Sequence, residues 1–154
     1  MSDSVEQLSN IHLFKGLRPA GIRLLATVTE EETHARGSHI FRHGDAGDRL
    51  YLITEGKVRI SRTVAGMGEE ALAVLDTGQT FGEMALLDEA PRSADAIAHE
   101  RCRVLTIAKE RFDNLLFTDK ELAYEVLWST VQLLAGRLRE TNDKLTFLSM
   151  SGKF

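Results

Sequence analysis

The sequence contains little cysteine and proline, and it lacks any long apolar segment. Cys102 is the only cysteine among 154 residues, which excludes an internal disulfide framework and favours a reducing compartment. No run of 18 apolar residues occurs, and the opening residues MSDSVEQ are polar and acidic instead of basic and then apolar. We therefore expect a soluble, cytoplasmic protein that inserts into no membrane.

An excess of positive charge is also missing. The 19 Lys and Arg residues are outnumbered by 23 Asp and Glu residues, which gives a formal net charge of -4. Domains that bind nucleic acid usually carry a basic surplus, so we expect no direct nucleic-acid partner. The hydrophobic content of 43% is enough for one core in a chain of this length. We predict a single domain over residues 1–154.

The hydrophobic pattern divides the chain into three regions. At about residues 8–27, apolar residues recur at helical spacing and predict a helical lead-in. At about residues 28–108, short strand-like segments alternate with glycine-containing turns, which predicts an antiparallel β-roll or jelly roll. The predicted strands are HIF, LYLIT, KVRISRTV, ALAVLD, ADAIA and RCRVLTIA. Residues at about 109–149 have a helical pattern, so the predicted fold class is mainly β with flanking helices.

Residues 120–148 contain no proline and one glycine, which predicts one long helix. Apolar residues repeat there at the a and d positions of four heptads, as in the seam of a coiled coil. We predict a parallel homodimer through this seam, while a second apolar stripe packs on the β-roll. The alternative is that the seam itself packs on the β core of its own chain. The seam residues are Tyr124, Leu127, Val131, Leu134, Leu138, Thr141, Leu145 and Leu148, and the second stripe comprises Leu122, Val126, Leu133 and Phe147.

The stretch FGEMALLDEAPRS combines groups that suit an anion with a group that suits a hydroxyl. GEMALLDE has the length of a short helix that begins after Gly82 and ends before Pro91. A helix start offers free backbone N–H groups to an anion, and Arg92 and Ser93 can add side-chain donors. The Glu83 carboxylate instead accepts hydrogen bonds, which suits a sugar hydroxyl. The stretch therefore fits a ribose phosphate, or alternatively an internal salt bridge between Glu83 and Arg92 at a surface turn.

The longer stretch GQTFGEMALLDEAPRSADA resembles the phosphate-binding cassette of cyclic nucleotide-binding domains. IFRHGDAGDRLYLITEGKVRI is similar to the strand, turn and strand signature of this family, and LFKGLRPAGIRLLA is similar to its helical lead-in. The resemblance covers roughly residues 10–148. It implies that Glu83 binds the ribose 2′-hydroxyl and that Arg92 binds the cyclic phosphate, whereas the GDAGD turn receives no ligand contact. The candidate ligand residues of the cassette are Gly82, Glu83, Met84, Ala85, Arg92 and Ser93.

The stretch GRLRETNDKLTFL resembles the dimer helix of bacterial catabolite activators, a branch of this family. In that branch, adjacent polar residues of the helix contact the adenine, one from each subunit. The matching positions here are Thr141 and Asn142. Thr141 is also the one polar member of the predicted seam, and the alternative role for it is to set the register of the two helices.

The resemblance implies a regulatory or sensor module, not an enzyme, that signals through its dimer helix to an unknown effector protein. The hydroxyl of Ser93 can also reach a guanine in the syn conformation, so cAMP is favoured over cGMP without excluding it. The alternative is a protein-interaction adaptor on the same fold that needs no ligand or responds to cyclic di-GMP. A transcription factor requires a helix-turn-helix after the dimer helix, and the sequence stops at SMSGKF. We therefore expect either a free-standing sensor or a chain that lacks its output domain.

Other chemistries have weaker support in the sequence. The histidines include no H-x-H pair, and His39 and His43 splay too widely for joint metal ligation. The GDAGD stretch lacks the further acidic ligands of a calcium loop. No Ser-His-Asp or Cys-His constellation is recognisable. We predict no metal site, no cofactor beyond the nucleotide ligand and no catalysis.

Overall fold

The computed structural model describes residues 2–83 and 90–151 of the chain. Helices at both ends of the chain enclose two antiparallel sheets of four strands each. The leading helices are α1 (Ser2–Ser9), a short 3-10 helix (His12–Phe14) and α2 (Pro19–Ala26), and the closing helices are α3 (Lys109–Thr118) and α4 (Lys120–Ser151). The strands are β1 (Thr29–His34), β2 (His39–Phe41), β3 (Arg49–Glu55), β4 (Val58–Val64), β5 (Gly68–Leu75), β6 (Thr80–Phe81), β7 (Asp95–Ala98) and β8 (Cys102–Ala108).

The two sheets form a β-roll, as the sequence predicted. One sheet has the order β1-β8-β3-β6 and the other has the order β2-β7-β4-β5. Each neighbouring pair is antiparallel, and β5 ends the second sheet as an edge strand beside β4. This is the expected architecture, mainly β with flanking helices.

Strand β3, inside the β1-β8-β3-β6 sheet, is buried on both faces. Leu50 and Leu52 of β3 point to a core shared with the helices, while Tyr51 and Ile53 point between the two sheets. Successive side chains of a strand face opposite ways, so a strand between two cores needs apolar residues at consecutive positions. This explains the unbroken run LYLI at the centre of the domain. The helical core is completed by residues such as Phe14, Leu25, Phe112 and Leu122.

Each of the six strand segments read from the sequence lies on a strand of the structure, and two further strands were missed. Strand β1 reads TEEETH and has no buried residue, so no hydrophobic pattern marks it. It is held by a continuous antiparallel ladder to β8, from Thr29 opposite Ile107 to His34 opposite Cys102. Strand β6 has only two residues, too few for any period to show. The lead-in also begins earlier than predicted, because α1 starts at Ser2.

Helix α4 is one long helix, as predicted, and its two apolar stripes have different environments. Leu122 and Val126 of the second stripe are buried in the helical core, and Leu133 packs against that core. At the end of this stripe, Phe147 is 69% exposed. The seam residues Tyr124 and Leu138 are 72% and 61% exposed. The alternative in which the seam packs on its own chain is therefore wrong.

The turn between β3 and β4 gives a matched test of steric crowding. Gly56 has a φ of +87°, and a Cβ there would meet the backbone oxygen of Arg101 and lie 2.8 Å from the Cβ of Cys102. Gly66, with a φ of +81°, has open space at its Cβ position.

We expect Gly66→Ala to lower the free energy of unfolding by about 1–2 kcal/mol, the cost of a left-handed non-glycine residue. Gly56→Ala should cost about 1–3 kcal/mol more because it also overpacks the β8 contact. Urea unfolding of both variants beside the wild type measures this difference. Equal losses in the two variants would contradict the crowding at Gly56.

Candidate functional site

A cavity of about 480 Å³ lies between the second sheet, the end of β6 and helix α4. Its volume falls within the range of roughly 300–1,000 Å³ that is usual for small-molecule sites. The cavity brings together five predicted ligand residues that are up to 59 positions apart in sequence, from Gly82 to Thr141. The predicted residues that line it are Gly82, Glu83, Arg92, Ser93 and Thr141, with Phe41, Ile60, Leu72 and Leu75 among its apolar walls.

The backbone of Arg92 is fixed by the GDAGD turn. The N–H of Arg92 donates to the carbonyl oxygen of Asp45 at 2.8 Å, and the N–H of Gly44 donates to the carbonyl oxygen of Arg92 at 2.8 Å. The turn that the sequence marked as structural thus positions a predicted ligand residue without contributing a side chain to the cavity.

The guanidinium of Arg92 is buried among neutral acceptors and an aromatic ring. Its Nη2 donates to the carbonyl oxygen of Arg49 at 2.8 Å, its Nη1 donates to the carbonyl oxygen of Gly82 at 3.2 Å, and its Cζ lies 4.3 Å from the ring centre of Phe41. The Nε has no partner among the described residues. Burial lowers the pKa of Arg92 from its ordinary value, but an arginine remains a cation at neutral pH. The site therefore holds a desolvated positive charge whose Nε–H donor has no partner among the described residues.

Glycine is required at position 82 for two reasons. Its φ of +78° is strained for any other residue, and a Cβ there would lie 2.7 Å from Nη1 of Arg92. Because the backbone of Gly82 passes so close to the guanidinium, its carbonyl oxygen can accept from Arg92. The glycine therefore shapes the end of the cavity and the approach of Arg92 together.

Glu83 forms an ion pair with a residue that the sequence did not suggest. Its Oε1 contacts Nη1 of Arg137 on α4, and Nη2 of Arg137 donates to the carbonyl oxygen of Thr80 at 3.0 Å. Glu83 is 4% exposed, and its Oε2 has no partner among the described residues. The alternative of a Glu83–Arg92 salt bridge at a surface turn is therefore wrong, because both side chains are buried and Glu83 pairs with the long helix instead.

One face of α4 forms a wall of the cavity. Arg137, Glu140, Thr141 and Lys144 all line it, and their spacing of three and four residues places them on one side of a helix. Thr141 is exposed, and its hydroxyl donates to the carbonyl oxygen of Arg137 at 3.0 Å. Asn142 is exposed and lies outside the cavity of its own subunit. Its contact with the adenine, which the resemblance implied, stays a prediction.

Two predicted ligand residues, Met84 and Ala85, lie outside the described residues, as does most of the predicted short helix. Ser93 is exposed at the cavity wall.

Among the described residues, no three His, Cys, Asp or Glu side chains are grouped so that they could hold a metal ion. Within the same part of the chain, no helix has the length and apolar character needed to cross a membrane.

Arg137, Glu140 and Lys144 were not predicted to line the site, although the heptad pattern of α4 contains a signal for Glu140. The buried stripe of α4 runs through Val126 and Leu133, and the same heptad position is next occupied by Glu140. Glu140 is a charged residue within an otherwise apolar stripe. It lies where this face of the helix no longer packs on the core and instead lines the cavity. We followed the stripe from Leu133 to Phe147 and passed over this exception.

Comparisons with known proteins agree with this geometry. Residues 31–119 match the family model described as the cyclic nucleotide-binding domain. The chain is 40% identical over 137 residues to the cyclic AMP receptor protein of Thermus thermophilus, covering 89% of the chain and 62% of that protein. It is 34% identical over 119 residues to the cGMP-dependent protein kinase, isozyme 1, of Drosophila melanogaster, covering 75% of the chain and 16% of the kinase. The chain thus spans about three fifths of the first relative and a small part of the second.

A solved structure has the same fold. The crystal structure of a cyclic nucleotide-binding domain from Methylobacillus flagellatus matches with a TM-score of 0.81 and 28% identity, covering 94% of this chain and 82% of that one. The matched family model spans more than half of the chain and includes the described parts of the cassette, with Gly82, Glu83 and Arg92 at the cavity. On these grounds the chain belongs to the cyclic nucleotide-binding domain family.

Proposed function

We propose that the chain is a regulatory module that binds one cyclic nucleotide in the cavity beside α4. The observation that carries the proposal is that Arg92 and Glu83 line the same cavity. Both side chains are more than nine-tenths buried, and each retains a polar atom without a partner among the described residues. Unsatisfied buried polar groups are costly, so a ligand that completes them gains binding energy.

The phosphate of the ligand is assigned to Arg92. Its protein partners are the neutral carbonyl oxygens of Gly82 and Arg49, which orient the guanidinium without neutralising its charge. A desolvated, forked cation binds a phosphate anion through charge-assisted hydrogen bonds. Ser93, which follows Arg92 and also lines the cavity, adds a hydroxyl at the same end.

The ribose is assigned to Glu83. A buried carboxylate accepts from a hydroxyl, and the unpartnered Oε2 has that capacity. Arg137 contacts Oε1 of Glu83, so Oε2 is the oxygen left to accept from the ligand. A molecule with an anionic phosphate close to a free hydroxyl, as in a cyclic nucleotide, matches both residues at once.

The base is assigned to the wall formed by α4 near Thr141. We favour cAMP over cGMP, since a relative that matches over 89% of this chain is named as a cyclic AMP receptor protein. A cGMP-dependent protein kinase is also among the relatives, so cGMP stays the second candidate.

Signalling is assigned to α4, which takes part in the site and carries the exposed seam. A ligand hydroxyl that donates to Glu83 joins the same network as Arg137, so binding changes the contacts of the helix. Such differential contact is what allows a ligand to shift the balance between two arrangements. We propose that α4 pairs with α4 of a second copy through the seam and transmits the change to an effector of unknown identity in the cytoplasm.

Titration calorimetry with cAMP, cGMP and cyclic di-GMP tests the proposed ligand class. We expect both cAMP and cGMP to bind, because both present the ribose phosphate that Glu83 and Arg92 suit. We expect cAMP to bind more tightly, as the relative named a cyclic AMP receptor protein suggests. Absence of heat with all three, supported by unchanged melting temperatures, would favour a ligand-independent adaptor. Binding of cyclic di-GMP alone would favour the dinucleotide alternative.

Substitution of Arg92 tests the phosphate assignment. Arg92→Lys and Arg92→Ala should weaken cAMP binding, the alanine variant by about 2–5 kcal/mol, because it removes one partner of a buried charge pair. Lysine keeps the charge but loses the fork, so its loss should be smaller. Arg23→Ala, at an exposed position of α2, is the control for removal of one positive charge. An affinity of Arg92→Ala equal to that of the control would remove Arg92 from the site.

Substitution in the seam tests the homodimer. Leu138→Glu places a charge at an apolar residue that is 61% exposed in one subunit, so it should convert a dimer to monomers in sedimentation velocity experiments. Arg139→Glu, one residue along the same exposed helix but at heptad position b, should leave the dimer intact. A dimer that survives Leu138→Glu would place the interface elsewhere, and a monomeric wild type would remove the seam from the mechanism.

A further inference from the structure

The cavity wall on α4 holds a carboxylate, Glu140, that has no role in the site described so far. Glu140 lines the cavity between Arg137 and Lys144 and is adjacent to Thr141 in sequence. It takes part in none of the ion pairs among the described residues. Its charge nonetheless acts on Arg137, where it raises the pKa against the opposing and larger effect of burial. Glu140 therefore lies near the ion pair that holds Glu83 but keeps its own oxygens available.

The hydrogen-bonding character of this wall changes along the helix, because the cations Arg137 and Lys144 flank the pair Glu140 and Thr141. The Thr141 hydroxyl already donates its proton to the carbonyl oxygen of Arg137 at 3.0 Å, so only its lone pairs remain for a ligand. The Glu140 carboxylate has acceptor oxygens only. At this level of the helix, both side chains therefore accept hydrogen bonds, and a ligand must supply the protons.

The position of the base follows from the proposed function, on which this inference rests. In a ribose whose 2′-hydroxyl is held by Glu83, the base is attached to the neighbouring C1′ carbon. Glu83 contacts Arg137, and Glu140 and Thr141 lie about one helical turn, roughly 5–6 Å, further along α4. The second sheet gives the cavity an apolar surface with Ile60, Leu72 and Leu75. A flat purine thus fits between an apolar sheet wall and an acceptor-bearing helix wall.

We propose that Glu140 is a specificity-determining residue that reads the N–H groups of the base. Adenine presents donors at its 6-amino group, and guanine presents them at N1 and at its 2-amino group. A carboxylate accepts such donors through charge-assisted bonds, and the seated base shields these bonds from water. The site consequently selects a purine with an amino donor against an otherwise identical purine without one.

Two matched pairs of ligands test this proposal, since the members of each pair share ribose and phosphate. Cyclic AMP is compared with the 3′,5′-cyclic phosphate of unsubstituted purine riboside, which lacks the 6-amino group. Cyclic GMP is compared with cyclic IMP, which lacks the 2-amino group. We expect the wild type to prefer the amino-bearing member of at least one pair by about tenfold to a hundredfold, the effect of one hydrogen bond to a charged group.

The variants assign the preference to Glu140. Glu140→Leu removes both acceptor oxygens and should reduce the preference to less than about threefold, while Glu140→Gln keeps one acceptor oxygen and should retain part of it. Asp143→Leu removes a carboxylate from the same exposed stretch of α4 outside the cavity wall and should leave the preference as in the wild type. The ratio within each pair cancels any general effect on folding, phosphate binding or ribose binding.

The outcomes separate this inference from the proposed function. Failure of every cyclic nucleotide to bind the wild type contradicts the proposed function itself. Binding without a preference in either pair, or a preference that persists in Glu140→Leu, contradicts the role of Glu140 and leaves the proposed function standing. An equal loss of affinity for both members of each pair in Glu140→Leu also contradicts base reading, because it shows an effect on the shared ribose and phosphate.

Discussion

The ion pair between Arg137 and Glu83 is the contact on which the arrangement of the cavity depends. A buried carboxylate is costly unless a cation or hydrogen-bond donor accompanies it, and Glu83 is 4% exposed. Its cation comes from α4, where Arg137 also holds the carbonyl oxygen of Thr80. One contact therefore supplies both the helical wall of the cavity and the partner of its buried carboxylate. An α4 that left the roll would expose the cavity and remove the partner of Glu83.

The second charged group of the site is held in a different way. Arg92 is oriented by carbonyl oxygens and by the ring of Phe41, and no carboxylate among the described residues pairs with it. A neutral acceptor directs a guanidinium but does not cancel its charge. The charge of Glu83 is thus balanced by Arg137, whereas Arg92 has no carboxylate partner among the described residues. This difference agrees with the proposed ligand, which carries one negative charge and neutral hydroxyls.

Much of this structure was predictable because its signals are local. The glycine turns and the apolar runs of β3, β4 and β8 indicated the roll, whereas the spacing of Glu83 and Arg92 left a ribose-phosphate site and an internal salt bridge both open. Strand β1 was missed because its order comes from pairing with β8, a contact about 70 residues away in sequence. The Glu83–Arg137 pair was missed for the same reason, since a sequence pattern ranks neither partner above other charged residues. The outward direction of the seam was predicted correctly because the heptad pattern of α4 is continuous. The second apolar stripe of α4 is buried only along the first half of the helix, at Leu122 and Val126.

The exposed end of α4 gives the helix the geometry of a lever. Its first half is fixed by burial of Leu122 and Val126 in the helical core, and Arg137 further along donates a hydrogen bond to the carbonyl oxygen of Thr80 in the sheet. At a rise of about 1.5 Å per residue, Ser151 lies roughly 20 Å beyond Arg137 along the helix axis. A tilt of about 10° at that point would displace the end of the helix by about 3–4 Å, a distance comparable to the spacing of packed side chains. Under the proposed signalling through α4, a small tilt caused by ligand binding at the cavity would therefore become a larger displacement at the far end of the helix.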